Sequence, residues 1–105
     1  MRLLAILGIL MSGTTNDITL RVYPSVSQSP AIIEVRIGIQ ESDLNRLLDI
    51  IIEGPEYYTH TSRQLSGITA PKHMSFTYRD LPMGEYLATA ILNSTSRASQ
   101  VFLVS

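Results

Sequence analysis

The segment Asp80-Leu81-Pro82-Met83-Gly84-Glu85-Tyr86 decides the fold, because it describes a tight corner that leads directly into a strand. The proline presets φ for a turn, and the glycine allows the positive φ that such turns require. Every second residue from Tyr86 to Leu92 is apolar and is expected to lie on one face. This period of two is typical of a strand that crosses the core of a β-sandwich.

Length and composition indicate one folded domain. The chain has 105 residues, of which 45% are hydrophobic and 16% are charged, so it can build a modest core and is not a disordered chain. The formal net charge of −1, without a basic cluster, argues against nucleic acid as the main partner. The absence of cysteine excludes disulfides, thiolate metal sites and a cysteine nucleophile.

Residues 1–15 differ from the rest of the chain. Arg2 is followed by the unbroken apolar run Leu3–Met11 and then by small polar residues. A charged start, a short apolar run and a small-residue tail are typical of a secretory signal peptide, and the run is too short to span a bilayer. The alternative is a retained apolar segment that packs on the domain of residues 17–105.

Six further segments have the length, pattern or flanking turns of strands: Ile18–Val22, Ala31–Gln40, Leu47–Glu53, Tyr57–Leu65, His73–Tyr78 and Ser99–Val104. We assign the first, second and fifth to one sheet, and the third, the last and the strand Tyr86–Leu92 to the other. Tyr57–Leu65 is polar and suits an edge. The Ser/Pro-rich residues 25–30 are interpreted as a crossing, and residues 93–98 as a hairpin loop. The pattern therefore predicts an all-β, seven-stranded antiparallel sandwich.

The corner at Leu81–Tyr86, together with the alternating Ile33, Val35, Ile37 and Ile39, resembles immunoglobulin-like modules of the fibronectin type III kind. The resemblance covers residues 17–105. It implies a structural corner shaped by Pro82 and Gly84, in which the Tyr86 hydroxyl bonds back to the backbone. The missing cysteine pair and tryptophan exclude an antibody-type domain. Prealbumin-like bacterial surface modules share this corner, so the resemblance is to bacterial exported sandwich modules in general.

Catalytic and metal-binding patterns are weak in this sequence. His60 and His73 stand on separate polar segments, without a carboxylate at ligand spacing. The loop Glu41–Asn45 offers oxygen ligands for calcium, but two carboxylates in a loop are usually a polar turn. No nucleophile motif or phosphate-binding loop occurs. We therefore expect no catalytic residues, no metal and no cofactor, and a chain that is not an enzyme.

Two surfaces are candidates for binding. The predicted outer face of the second sheet carries six apolar residues, which favours contact with a protein partner or a second copy: Leu47, Ile51, Leu87, Ile91, Val101 and Leu103. The leading hypothesis is thus a non-enzymatic, exported interaction or structural module, periplasmic or extracellular. The alternative is a carbohydrate- or ligand-binding accessory module that uses Tyr57, Tyr58, His60 and the end loops.

Export with loss of the leader is the first prediction. Because the apolar run ends at Met11 and small residues follow, the mature protein should begin between about residues 13 and 18. Mass spectrometry of the exported fraction measures this start, and an intact Met1 there would contradict the prediction.

Overall fold

The computed structural model describes residues 17–105, so the predicted signal segment 1–15 lies outside the described residues. The described chain is built from strands, with one short 3-10 helix at Gly67–Thr69. The strands are β1 (Ile18–Tyr23), β2 (Val26–Ser27), β3 (Ala31–Ile39), β4 (Leu47–Gly54), β5 (Tyr57–Gln64), β6 (His73–Leu81), β7 (Gly84–Leu92) and β8 (Ser96–Val104).

The strands form two sheets. One sheet has the order β1-β3-β6, and the other has the order β2-β8-β7-β4-β5. The predicted all-β class and the assignment of strands to two sheets are confirmed, and the polar segment that begins at Tyr57 is indeed an edge strand. The core lies between the sheets, where the alternating apolar residues of β1, β3, β4, β7 and β8 are buried.

The predicted count of seven antiparallel strands is wrong. An eighth strand, Val26–Ser27, lies inside the Ser/Pro-rich segment that the sequence analysis interpreted as a crossing, and it pairs with β8 in parallel. Two residues are too few to show a period, so the sequence pattern could not reveal this strand.

The hairpin between β7 and β8 is tighter than predicted, because β8 begins at Ser96. Asn93 and Ser94 both adopt left-handed backbone conformations, with φ of 54° and 64°. Two successive residues with positive φ suit the twist of a hairpin, and asparagine tolerates this region well. The Asn93 side chain also accepts hydrogen bonds from the backbone N–H groups of Arg46 and Leu47, which join this turn to the start of β4.

The corner between β6 and β7 is built around Tyr86. Its side chain is only 1% exposed, and its hydroxyl donates a hydrogen bond to the carbonyl of Pro82. The ring stacks on Phe102 with centroids 5.0 Å apart and meets Tyr57 edge-on at 6.0 Å. A Cβ at Gly54 would lie 2.5 Å from this ring, so glycine is required for the close approach of β4.

Substitutions at Tyr86 separate its hydrogen bond from its packing. Tyr86→Phe should lower the free energy of unfolding by about 0.5–1.5 kcal/mol, since one hydrogen bond is lost. Tyr86→Ala should cost about 3–5 kcal/mol, because it also leaves a cavity. Chemical denaturation measures both values, and equal, negligible losses would contradict this account of the corner.

Candidate functional sites

The six predicted interface residues lie on the outer face of the five-stranded sheet. Leu87 and Val101 are cross-strand partners and are exposed, and Leu103 continues the exposed group along β8. Val26 on β2 lies beside Leu103 and is 65% exposed, which the sequence analysis did not anticipate. The other three residues are half-buried: Leu47, Ile51 and Ile91.

Acidic side chains interrupt this apolar face. Glu85 is opposite Leu103 across the β7–β8 ladder, and Glu53 is opposite Leu87 across the β4–β7 ladder. Asp49 also lies on this face. Charged side chains therefore lie among the six apolar residues on this face.

The aromatic candidates do not form one platform. Tyr57 is half-buried and packs against the core, where it meets Tyr86, while Tyr58 is 65% exposed on the outer face. Successive residues of a strand point to opposite faces, so the two tyrosines cannot contact one flat ligand together. His60 shares the outer face with Tyr58.

A carboxylate does lie beside His60, contrary to the sequence-based expectation. The β4–β5 register sets Asp49 opposite Ser62 and Ile51 opposite His60. The Asp49 carboxylate is 3.0 Å from Nε2 of His60 and accepts a hydrogen bond of 2.5 Å from the Ser62 hydroxyl. Pairing the two strands across the Gly54-Pro55-Glu56 turn would have revealed this neighbour in the sequence.

This serine, histidine and aspartate do not form a nucleophilic triad. In such a triad the carboxylate and the serine bind opposite nitrogens of the imidazole. Here Ser62 and Asp49 both face Nε2 of His60, and the Ser62 hydroxyl is 3.4 Å from that nitrogen. The cluster therefore binds β4 to β5 and fixes a carboxylate on the outer face.

The pKa of Asp49 is lowered, first by the Ser62 hydroxyl and then by the hydrogen bond with His60. A carboxyl group with a lowered pKa in the folded state stabilises that state at neutral pH, and the contribution is lost as the pH falls through the lowered pKa.

At the end of the sandwich that carries the β3–β4 and β7–β8 loops, the buried side chain and backbone of Asn45 form several hydrogen bonds. Asn45 is 3% exposed, donates to the carbonyl of Gln40 at 2.9 Å and accepts the N–H of Gly67 through its own carbonyl. Its partner across the end is Asn93 of the β7–β8 turn. Within residues 17–105, no group of three or more histidine, aspartate or glutamate side chains is arranged to hold a metal ion.

A basic surface lies on the outer face of the three-stranded sheet. Arg21 on β1 is directly opposite Arg36 on β3, and Ser75 on β6 is opposite Arg36 on its other side. Arg36 binds Glu34 at 3.0 Å, and its guanidinium lies 4.2 Å from the ring centre of Tyr23. The sequence shows no basic cluster, because the two arginines become neighbours only through the β1–β3 register.

Gly38 opens a shallow depression of about 230 Å³ next to these arginines. Thr19 and His73 are its cross-strand partners on the two sides. A Cβ at Gly38 would lie 2.7 Å from the Thr19 hydroxyl, so the absence of a side chain at this position leaves the depression open. Hydroxyl, imidazole and guanidinium groups thus surround one depression.

Comparison with known proteins gives structural likeness only. No family model and no curated protein matches the chain. A superoxide reductase (neelaredoxin) from Ignicoccus hospitalis is similar with a TM-score of 0.61 and 12% identity, over 85% of this chain and 80% of that one. A CARDB domain from Pyrococcus furiosus, solved with di-metal ions, has a TM-score of 0.56 and 14% identity over 84% and 90%.

A superoxide reductase mutant from Archaeoglobus fulgidus, in its reduced form, is similar with a TM-score of 0.53 and 8% identity, over 85% of this chain and 89% of that one. The neighbours are β-sandwiches, which agrees with the predicted class. At such identities the likeness shows the fold alone. Separately, the described residues include no helix that is long and apolar enough to cross a membrane.

These neighbours correct the functional hypothesis drawn from the sequence. That hypothesis, a non-enzymatic interaction module using the apolar face or an accessory module using Tyr57 and Tyr58, is contradicted because superoxide reductases are enzymes with the same type of fold. A sandwich of this kind therefore does not distinguish a binding module from an enzyme. The likeness does not show enzyme activity for this chain either, since at 12% identity it extends to the fold alone.

Removing the Ser62 hydroxyl should raise the pKa of Asp49, because that hydroxyl is the main cause of its lowered value. Carboxyl-carbon NMR titration of Ser62→Ala measures the change. Ser99→Ala is the matched control, since Ser99 is opposite Thr89 and does not touch Asp49. An unchanged Asp49 titration in Ser62→Ala would show that the hydrogen bond does not persist in solution.

Proposed function

We propose that the chain is an exported, immunoglobulin-like domain that binds a small oxyanion on the outer face of its three-stranded sheet. The strand order β1-β3-β6 facing β8-β7-β4-β5, together with the corner at Tyr86, supports the fibronectin type III kind of sandwich. The apolar run Leu3–Met11 supports export. The ligand is a carboxylate or a phosphate group.

The observation that carries the anion proposal is the direct opposition of Arg21 and Arg36. Like charges at opposed positions of an antiparallel pair destabilise the sheet, by an amount on the order of 0.2–1 kcal/mol. An oxyanion bound between the two guanidinium groups would remove this repulsion and gain charge-assisted hydrogen bonds.

The two arginines have complementary surroundings. Arg36 is held by Glu34 and by the ring of Tyr23, so its guanidinium is already positioned before a ligand arrives. Arg21 forms no salt bridge with any residue in the range 17–105, and its charge remains available. Preorganisation of one cation and freedom of the other both favour ligand binding.

The neighbouring groups are those that bind oxyanions. Thr19, Ser75 and His73 place hydroxyl and ring N–H donors beside the guanidinium groups, and Gly38 leaves room for the ligand between them. A planar guanidinium matches a carboxylate or a phosphate with two parallel hydrogen bonds, which a lysine could not provide. The chemistry of this surface is therefore binding and orientation of an anion.

The test is a titration of the isotopically labelled full chain with inorganic phosphate and, separately, with citrate, followed by amide NMR at low salt. The amide signals of Gly38 and its strand neighbours should shift with each probe that binds. Arg21→Gln should weaken binding at least about 10-fold, a loss of roughly 1.4 kcal/mol. Higher ionic strength should weaken it further.

Arg97→Gln is the matched control, because Arg97 is an exposed arginine on the outer face of the other sheet. It should leave the affinity nearly unchanged. Arg21→Gln should also leave the unfolding free energy unchanged or slightly higher without ligand, since it removes the repulsion with Arg36. Equal effects of the two substitutions on binding, or no shift near Gly38 with either probe, would overturn the proposal.

A further inference from the structure

Among the described residues, β5 is the edge strand with the longest unbroken register. The two sheets have four edges, formed by β1, β6, β2 and β5. β5 spans eight residues in uninterrupted register with β4, without proline, glycine or lysine. Its one inward-directed charge is Arg63, whose guanidinium lies 5.1 Å from the ring centre of Phe76. A regular edge of this kind presents a row of unpaired backbone groups, and proteins usually modify such edges.

The other three edges carry such modifications. β2 is two residues long and is flanked by Pro24 and Pro30. In β1 the N–H of Val22 is bound by the side chain of Gln100 at 3.1 Å. β6 contains a register shift opposite Ala31–Ile33, close to Asp80 in the left-handed region. Bulges, prolines and side-chain capping all oppose the pairing of a further strand.

The register of the β4–β5 hairpin shows which backbone groups of β5 point outward. Gly54 is opposite Tyr57 across a two-residue loop, so the odd-numbered residues of β5 direct their N–H and C=O groups toward β4. The hydrogen bond from the N–H of Leu65 to the carbonyl of Arg46, at 2.9 Å, agrees with this, because Leu65 is also odd-numbered and bonds toward β4. The even-numbered residues 58–64 therefore direct their backbone groups away from the sheet.

We propose that a second copy of this chain pairs with β5 in an antiparallel two-fold arrangement centred on Thr61. This register sets His60 opposite Ser62 of the other copy and Tyr58 opposite Gln64. It places no like charges opposite one another, because Arg63 faces Thr59. A register centred on His60 would oppose two imidazoles, and one centred on Ser62 would pair only residues 60–64 of β5, so both are disfavoured.

The self-complementarity of β5 is what selects a second copy as its occupant. A two-fold contact uses the same patch on both molecules and closes after two copies, so it leaves no free β5 edge. Threonine pairs are favourable across antiparallel strands, and Thr61, whose hydroxyl is 3.0 Å from that of Tyr78, would lie opposite Thr61 of the other copy. The contact involves neither the apolar outer face nor the surface around Arg21, so it stands independently of the proposed anion site.

The natural absence of cysteine allows a sharp test by crosslinking of the full chain. In the proposed register the two Thr61 residues form a non-hydrogen-bonded pair with Cα atoms about 4.5 Å apart, which a disulfide can bridge. Under oxidation Thr61→Cys should form a covalent dimer. Thr59→Cys is the control, because Thr59 is also half-buried on the same face but would face Arg63, and it should remain monomeric. Crosslinking of both variants or of neither would overturn the register.

A second measurement does not depend on a disulfide. Sedimentation equilibrium of the parent chain should show a reversible dimer, and Ser62→Pro should weaken it at least about 10-fold by removing an outward N–H. Ser62→Ala should remain within about 3-fold of the parent, which separates the backbone effect from loss of the side chain. A strictly monomeric parent, or equal weakening by the two variants, would overturn the proposal.

Discussion

The phenol of Tyr86 is the contact on which the arrangement of strands depends. Its hydroxyl binds the carbonyl of Pro82, its ring stacks on Phe102, and Gly54 leaves space for it on β4. One side chain thus fixes the corner that carries the chain from one sheet to the other and joins it to two strands of the second sheet. A buried hydroxyl is normally paired, and here the Pro82 carbonyl satisfies it, so the corner and the core are stabilised together.

Strong alternation made the core predictable from the sequence. Inward and outward positions along β3, β4 and β7 follow from a period of two, because a shift of one residue would move every buried apolar side chain of the strand to its outer face. The missed features obey other rules. β2 is held by two backbone pairings with β8, and the early start of β8 depends on left-handed conformations at Asn93 and Ser94. Neither feature leaves a periodic signal.

The candidate sites were less predictable, because they depend on register between strands that are distant in the chain. Arg21 and Arg36 are neighbours only once β1 is aligned with β3, so a sequence without a basic cluster did not reveal this pair. The Asp49–His60 contact was easier to predict, because one short turn joins β4 to β5 and fixes their register. The separation of Tyr57 from Tyr58 could have been predicted from the sequence, because adjacent residues of a strand point to opposite faces.

This chain shares its fold with superoxide reductases and a CARDB domain at low sequence identity. The inner and outer positions of each strand explain how this is possible. Inner positions require apolar side chains of suitable size, but several residue types satisfy that requirement, so a fold can persist without sequence identity. Outer positions are free of the core and can acquire arginines, acidic residues or metal ligands independently. Chemistry therefore has to be inferred from the outer faces and edges of this chain, which include the opposed arginines of one sheet and the regular edge strand β5 of the other.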